Sequence, residues 1–241
     1  MTKDTAAVGW SALLEARWFS ALAVLVGGVL LHSMNVLMLA TVLPSVVDDI
    51  GGATLISWTS TAYLASSIVA ATCTGYLTSN IGPRNAFCIG AFVFGVGALA
   101  CALAPSMALI VVGRFVQGFG GGLLAAIAYV LVRNTFPGEL WARAFALLSG
   151  AWSLSIVVGP MVGGVFAQYG NWRGAFFSVA GLAIVLSIGA FRALPAGVAG
   201  TGATRVPGLR VALVCAAIGV MSSSAIAPQV LVKAGLVAAA L

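Results

Sequence analysis

The chain has 241 residues, of which 61% are hydrophobic and 7% charged, with a mean hydropathy of +1.13. Soluble domains carry roughly 25% charged residues, so a water-soluble fold is excluded, and the apolar content excludes disorder. The net charge of +6 does not mark a nucleic-acid surface, because the basic residues stand singly between apolar blocks, where their use is orientation.

Residues 1–17 carry Lys3, Asp4, Glu15 and Arg17 around Trp10 and predict an amphipathic lead on the membrane surface. The apolar block that follows, 18–43, is too long for the core of a signal peptide and lacks a small-residue cleavage site before Pro44. Further blocks fall at 57–78, 85–104, 107–132, 144–167, 174–194 and 211–227. Each is near the ~20 residues that cross a hydrocarbon core, so seven transmembrane helices are expected. Polar breaks separate them: VVDDIGG, SNIGPR, APS, RNTFPGELWAR, QYGNWR and a Gly/Ala/Thr/Pro-rich linker over 195–210.

With a cytoplasmic amino terminus, Lys3, Arg17, Arg84, Arg133, Arg143, Arg192, Arg205 and Arg210 all fall inside, whereas Arg173, Asp48 and Asp49 fall outside. This bias sets the expected topology. Trp58 and Trp172 then sit near the outer interface, Trp18 and Trp141 near the inner one. The chain also repeats itself: Gly75, Arg84, Ala86 and Phe87 recur 89 residues later as Gly164, Arg173, Ala175 and Phe176. Three spans separate the copies, so the second is inverted. Units 18–104 and 107–194 are thus predicted to be inverted three-helix repeats, an arrangement that places a substrate path near the midplane.

Ionisable groups inside spans are costly and therefore functional candidates. Away from the block ends only two exist before residue 195: Arg114, about two turns into the fourth span, and His32 in the middle of the first. Gln117, Gly118 and Gly121 share the helix face of Arg114. Two readings stand for it: a face lining a cavity, with glycines leaving room beside the guanidinium, or an arginine snorkelling to the outer headgroups. His32 and Asn35 share one face of the first span and offer polar contacts either to a substrate or to a neighbouring helix. On the fifth span Ala151, Ser155, Gly159, Gly163 and Ala167 form a stripe of small residues, with Gly164 beside it and Pro160 expected to bend the helix. Cys73, Cys88, Cys101 and Cys215 are scattered without a CxxC pair and read as packing residues. With a single histidine, a multi-histidine metal site cannot be built, and no cofactor is expected. No span carries a carboxylate pair, an activated nucleophile or a metal constellation, so an enzyme is disfavoured.

At these residues the sequence resembles a known family. GYLTSNIGPR, from Gly75 to Arg84, is similar to the loop between the second and third helices of major facilitator superfamily transporters. RFVQGFGGG, from Arg114 to Gly122, resembles their fourth-helix motif, and GPMVGG, from Gly159 to Gly164, the fifth-helix motif of the antiporter branches. With SWTSTAYLASS, which contains Tyr63, and NWRGAFF, the pattern over 18–195 looks like that of drug:proton antiporters, including their fourteen-helix branch. The loop keeps only Gly75, Gly82 and Arg84 of the family pattern, with Ser79 where an acid is usual. Asn35 stands where these antiporters often carry an aspartate, which argues against proton coupling through this half.

The resemblance implies an all-α membrane protein with a six-helix amino-terminal bundle over 18–194, followed by the linker and, over 211–241, the start of a second half. The expected function is multidrug or solute efflux across the cell membrane by a secondary transporter, with H+ as a coupling ion. Arg114, Gln117, His32, Asn35 and Tyr63 are its substrate-path candidates. Gly75, Gly82 and Arg84 would form the gate loop, and Gly118, Ser155, Gly159, Pro160, Gly163 and Gly164 the helix-packing motifs. The chain looks truncated, which leaves a second reading: a fragment that does not transport and acts by assembling with another membrane subunit. A single bundle is expected to leave Arg114, Gln117 and the fifth-helix stripe without partners, so that it self-associates or meets a complementary half.

The topology is open to single-cysteine labelling. A membrane-impermeant maleimide applied to intact cells is expected to modify Asp48→Cys and spare Ser79→Cys. The opposite pattern would reverse the orientation.

Overall fold

A computed structural model describes Leu13, residues 15–195 and Ala212. It contains six helices: α1 (Ala16–Ile50), α2 (Ile56–Ile81), α3 (Pro83–Ala102), α4 (Met107–Thr135), α5 (Gly138–Gln168) and α6 (Trp172–Ala193), with one 3-10 turn over Ala53–Leu55. The fold is thus all-α, as expected, with no strand among the described residues. Apart from positions at their edges, the lead, the linker and the seventh span lie outside those residues.

The helices are longer than the apolar blocks. α1 was expected to end before Pro44 but runs through it to Ile50, taking in Asp48 and Asp49. α2 continues through Ser79 and Asn80, so most of the expected gate loop is helix, and only Gly82, at φ +80°, breaks the chain between α2 and α3. The wide polar break RNTFPGELWAR shrinks to Phe136 and Pro137. The physical reason is common to all three. Hydropathy marks the part of a helix that lies in hydrocarbon, whereas backbone hydrogen bonding carries the helix on into the interface until a Gly or Pro stops it.

Five helices, α1 and α3 to α6, are long and apolar enough to cross a membrane. α2 is the exception because it is rich in Ser and Thr. Those hydroxyls are spent on its own backbone: Thr59 donates to the Ile56 carbonyl at 2.6 Å, Ser66 to Tyr63 at 3.0 Å, Ser67 to Leu64 at 2.9 Å and Thr72 to Val69 at 2.7 Å. Such bonds lower the price of placing them in an apolar bundle.

α4 packs against α1, α2 and α3, and α1 packs against α4, α5 and α6, while α3 also meets α6. Close approach depends on small residues. The stripe on α5 was expected to lack a partner within one bundle, and this is corrected: Ala151, Ser155, Gly159 and Gly163 are buried, and α1 fills the seam. A Cβ at Gly159 would stand 2.7 Å from the Met34 carbonyl, and one at Gly163 2.7 Å from the Met38 carbonyl and against Thr41 Oγ1. Gly164, by contrast, faces open space. α5 runs unbroken through Pro160.

The ends of the bundle are tied by polar contacts. Arg173 at the start of α6 pairs with Asp49 at the end of α1, Nη1 to Oδ2 at 2.5 Å, and its Nη2 donates to the Ala104 carbonyl beyond α3 at 3.3 Å. Trp172 donates from Nε1 to the same Asp49 oxygen at 3.1 Å and is 2% exposed. It therefore packs against its neighbours at this end of the bundle. At the opposite end, Trp18 packs on Phe136, and Trp141 donates to the Phe136 carbonyl at 2.7 Å.

The seam makes adjacent glycines unequal. Gly163→Leu is expected to destabilise the purified chain by about 1–3 kcal/mol through overpacking against α1, whereas Gly164→Leu leaves the melting midpoint in mild detergent near that of the parent. Equal midpoints for the two variants would contradict the α1–α5 contact.

Candidate functional site

The interior of the bundle holds one charged side chain, and the surrounding helices are organised around it. Arg114 is 1% exposed, so the snorkelling reading is corrected: its guanidinium turns inward between α1 and α2. Nη1 donates to Asn35 Oδ1 of α1 and to Gln117 Oε1 at 2.9 Å, and Nε reaches the Thr59 carbonyl of α2 at 3.4 Å. The guanidinium carbon lies 3.9 Å from the centroid of the Tyr63 ring. A planar cation over an aromatic face, with forked donors on amide oxygens, is the arrangement guanidinium suits best.

Tyr63 carries the cluster on to His32. Its hydroxyl lies 2.9 Å from His32 Nδ1 and donates to the His32 carbonyl at 3.1 Å. A phenol has one proton, so with that proton on the carbonyl the oxygen accepts from Nδ1–H, which sets the imidazole tautomer. The two rings stack with centroids 5.5 Å apart, and Trp152 of α5 meets His32 edge-on at 5.8 Å. Four helices thus contribute to one connected polar cluster.

The glycines of α4 play a different part from the one expected. The space at their Cα atoms is taken by groups of α1, α2 and α3. A Cβ at Gly118 would collide with the Tyr63 carbonyl, and one at Gly121 would stand 2.6 Å from His32 Nδ1 and 2.8 Å from the Tyr63 hydroxyl. Gly118 and Gly121 therefore let α2 and the His32 ring press against α4, which closes the cluster.

Of the substrate-path candidates, Arg114, Gln117, His32, Asn35 and Tyr63 come together, and all five are buried. The gate-loop residues lie elsewhere: Arg84, at the start of α3, stacks over Phe191 near the end of α6 at 4.8 Å, and Gly75 has open space around it. Ser155 is buried, but its hydroxyl bonds its own helix at the Trp152 carbonyl, 2.6 Å away. Sequence reasoning missed Trp152 and the Thr59 carbonyl. Trp152 is one aromatic among many in the apolar blocks, and a backbone carbonyl carries no sequence signal.

Comparison with known proteins places this geometry in context. The model of a family described as the Major Facilitator Superfamily matches residues 25–240. A probable multidrug-efflux transporter of Mycobacterium tuberculosis is 39% identical over 248 aligned positions, covering 100% of this chain and 52% of that protein. The multidrug transporter protein MdtP of Bacillus subtilis is 29% identical over 140 positions, covering 58% of this chain and 26% of its own length. This chain thus spans about half the length of the first relative and less of the second. Among solved structures, a proton:xylose symporter, XylE, bound to 6-bromo-6-deoxy-D-glucose is similar in fold, with a TM-score of 0.66 at 16% identity over 72% of this chain and 44% of that one.

Tyr63 bears both on the guanidinium and on His32, and its two functions separate by substitution. Tyr63→Phe keeps the ring and is expected to cost about 1 kcal/mol for the lost hydrogen bonding. Tyr63→Ala also removes the face under Arg114 and is expected to cost about 3–5 kcal/mol. Denaturant unfolding in micelles reads both, and equal losses would show that the ring face contributes nothing.

Proposed function

Because the chain belongs to the major facilitator superfamily, we propose that it forms the amino-terminal bundle of a secondary transporter that exports small organic molecules across the cell membrane. The observation that carries this reading is the buried Arg114 cluster. A charged side chain inside a membrane bundle costs roughly 3 kcal/mol or more, and here it is held between α1, α2 and α4 by Asn35, Gln117 and Tyr63. Such an outlay suits a group that a solute meets in passage. The multidrug-efflux relatives supply the class of solute.

In this reading Arg114, Gln117, Asn35, Tyr63 and His32 line the path, the amino terminus lies in the cytoplasm, and H+ as the coupling ion is carried outside this half, in which Asn35 stands in place of an acid. Helices α1–α3 and α4–α6 act as inverted repeats. The pairing of helices supports this, since α2 with α4 becomes α5 with α1, and α2 with α3 becomes α5 with α6, on exchanging the two units, and all four pairs are in contact. Alternating access would come from rocking of this bundle against a second one, either another copy or a complementary half. The α1–α5 seam, with Pro160 in it, is the natural place for that movement to be absorbed.

The test is flux. Energised inverted vesicles carrying the chain are expected to accumulate at least one of a panel of small aromatic solutes that includes the cation ethidium and the carboxylate fluorescein, and Arg114→Gln is expected to reduce that rate about tenfold or more at equal protein level, the scale of about 1.4 kcal/mol in a barrier. Accumulation by Arg114→Gln at the parental rate, or none by the parent, would overturn the proposal.

A further inference from the structure

Among the described residues no carboxylate balances the charge of the Arg114 cluster. The whole sequence contains five acidic residues, Asp4, Glu15, Asp48, Asp49 and Glu139. Asp4 and Glu15 precede α1, Asp48 and Asp49 end it, and Glu139 is in the first turn of α5. Of the four that are described, Glu15, Asp48, Asp49 and Glu139, none lies in the middle of a helix. Among the described residues the ion pair is Asp49 with Arg173, at the end of the bundle. Every partner of the Arg114 guanidinium is neutral: two amide oxygens, one backbone carbonyl and one aromatic face.

A second observation points the same way. Asn35 and Gln117 both turn their oxygens toward Arg114 Nη1, which leaves their amide nitrogens on the far side. Asn35 Nδ2 and Gln117 Nε2 are buried and without a hydrogen-bond partner, in residues that are 0% exposed. A buried donor left unmade costs roughly 1–3 kcal/mol, and an uncompensated buried charge more. Arg114 Nη2 likewise has no hydrogen bond among the described residues. One cation and several idle donors around it form a site short of acceptors and of one negative charge.

We infer that this site takes a carboxylate of the transported molecule, a monoanion on an aromatic or apolar body. A carboxylate matches the guanidinium fork and supplies acceptors of the kind the two amide nitrogens lack. The cluster reaches the surface at Trp152, which is 44% exposed and edge-on to His32, so an aromatic body has rings to lie against. A lipophilic cation at the same place would add a second positive charge in a medium of low dielectric. The inference rests on the transport reading for its substrate but is tested by binding.

The probe is benzoate, measured by equilibrium dialysis on the full chain in mild detergent with Trp152 fluorescence as a second signal. Saturable binding is expected, undisturbed by tetraphenylphosphonium and surviving about a hundredfold excess of chloride. Arg114→Gln and Asn35→Asp are each expected to weaken it about tenfold or more, about 1.4 kcal/mol. Asn35→Asp brings its own carboxylate to Arg114, so its melting midpoint should hold or rise, which separates loss of the site from loss of the fold. No binding by the parent, displacement by equimolar chloride, competition by tetraphenylphosphonium, or parental affinity in Asn35→Asp would each overturn the inference. Ethidium flux without benzoate binding removes this inference alone, whereas benzoate binding without flux removes the transport reading and leaves the anion site.

Discussion

One guanidinium in an apolar bundle sets the terms for everything around it. Arg114 has no carboxylate among its partners, so its stability inside the bundle depends on Asn35, Gln117, the Thr59 carbonyl and the Tyr63 ring being held at hydrogen-bond and stacking distance. Those groups belong to α1, α2 and α4. The placement of the three helices is therefore not a matter of hydrophobic contact alone, because lipid tails offer apolar side chains an environment as favourable as a neighbouring helix does. The polar cluster gives these helices a reason to find one another.

Glycine supplies the means. On α4, Gly118 admits the backbone of α2, and Gly121 leaves the space that His32 and the Tyr63 hydroxyl occupy. On α5, Gly159 and Gly163 admit the backbone of α1. The same device thus serves two ends: in one seam it tightens a polar cluster, in the other it brings two helix backbones into direct contact.

The ends of the bundle are treated differently. Asp49, Arg173, Trp172 and the Ala104 carbonyl join α1, α3 and α6 on one side. Arg173 and Asp49 are both partly exposed, so their pairing is weakened by solvent and acts as a tether more than a source of stability. On the other side Arg84 stacks on Phe191 and Arg133 on Trp141. Cations over rings hold positive charge at that end of the bundle.

The sequence by itself determined that the chain is a helical membrane protein, where its helix centres lie, and that Arg114, Gln117, His32, Asn35 and Tyr63 are the polar residues placed among apolar ones. Composition and a twenty-residue period carry that information, because the bilayer imposes them on any helix that crosses it. Helix ends were less legible, as Pro44 and the Ser79–Asn80 stretch show, since hydropathy stops at the interface and backbone bonding does not. Only the tertiary structure decided that Arg114 turns inward, that its glycines close the cluster instead of opening it, that α1 fills the stripe of α5, and that Trp152 joins the site. Each of these depends on which helix faces which, and periodicity along one helix says which residues share a face but not what that face meets.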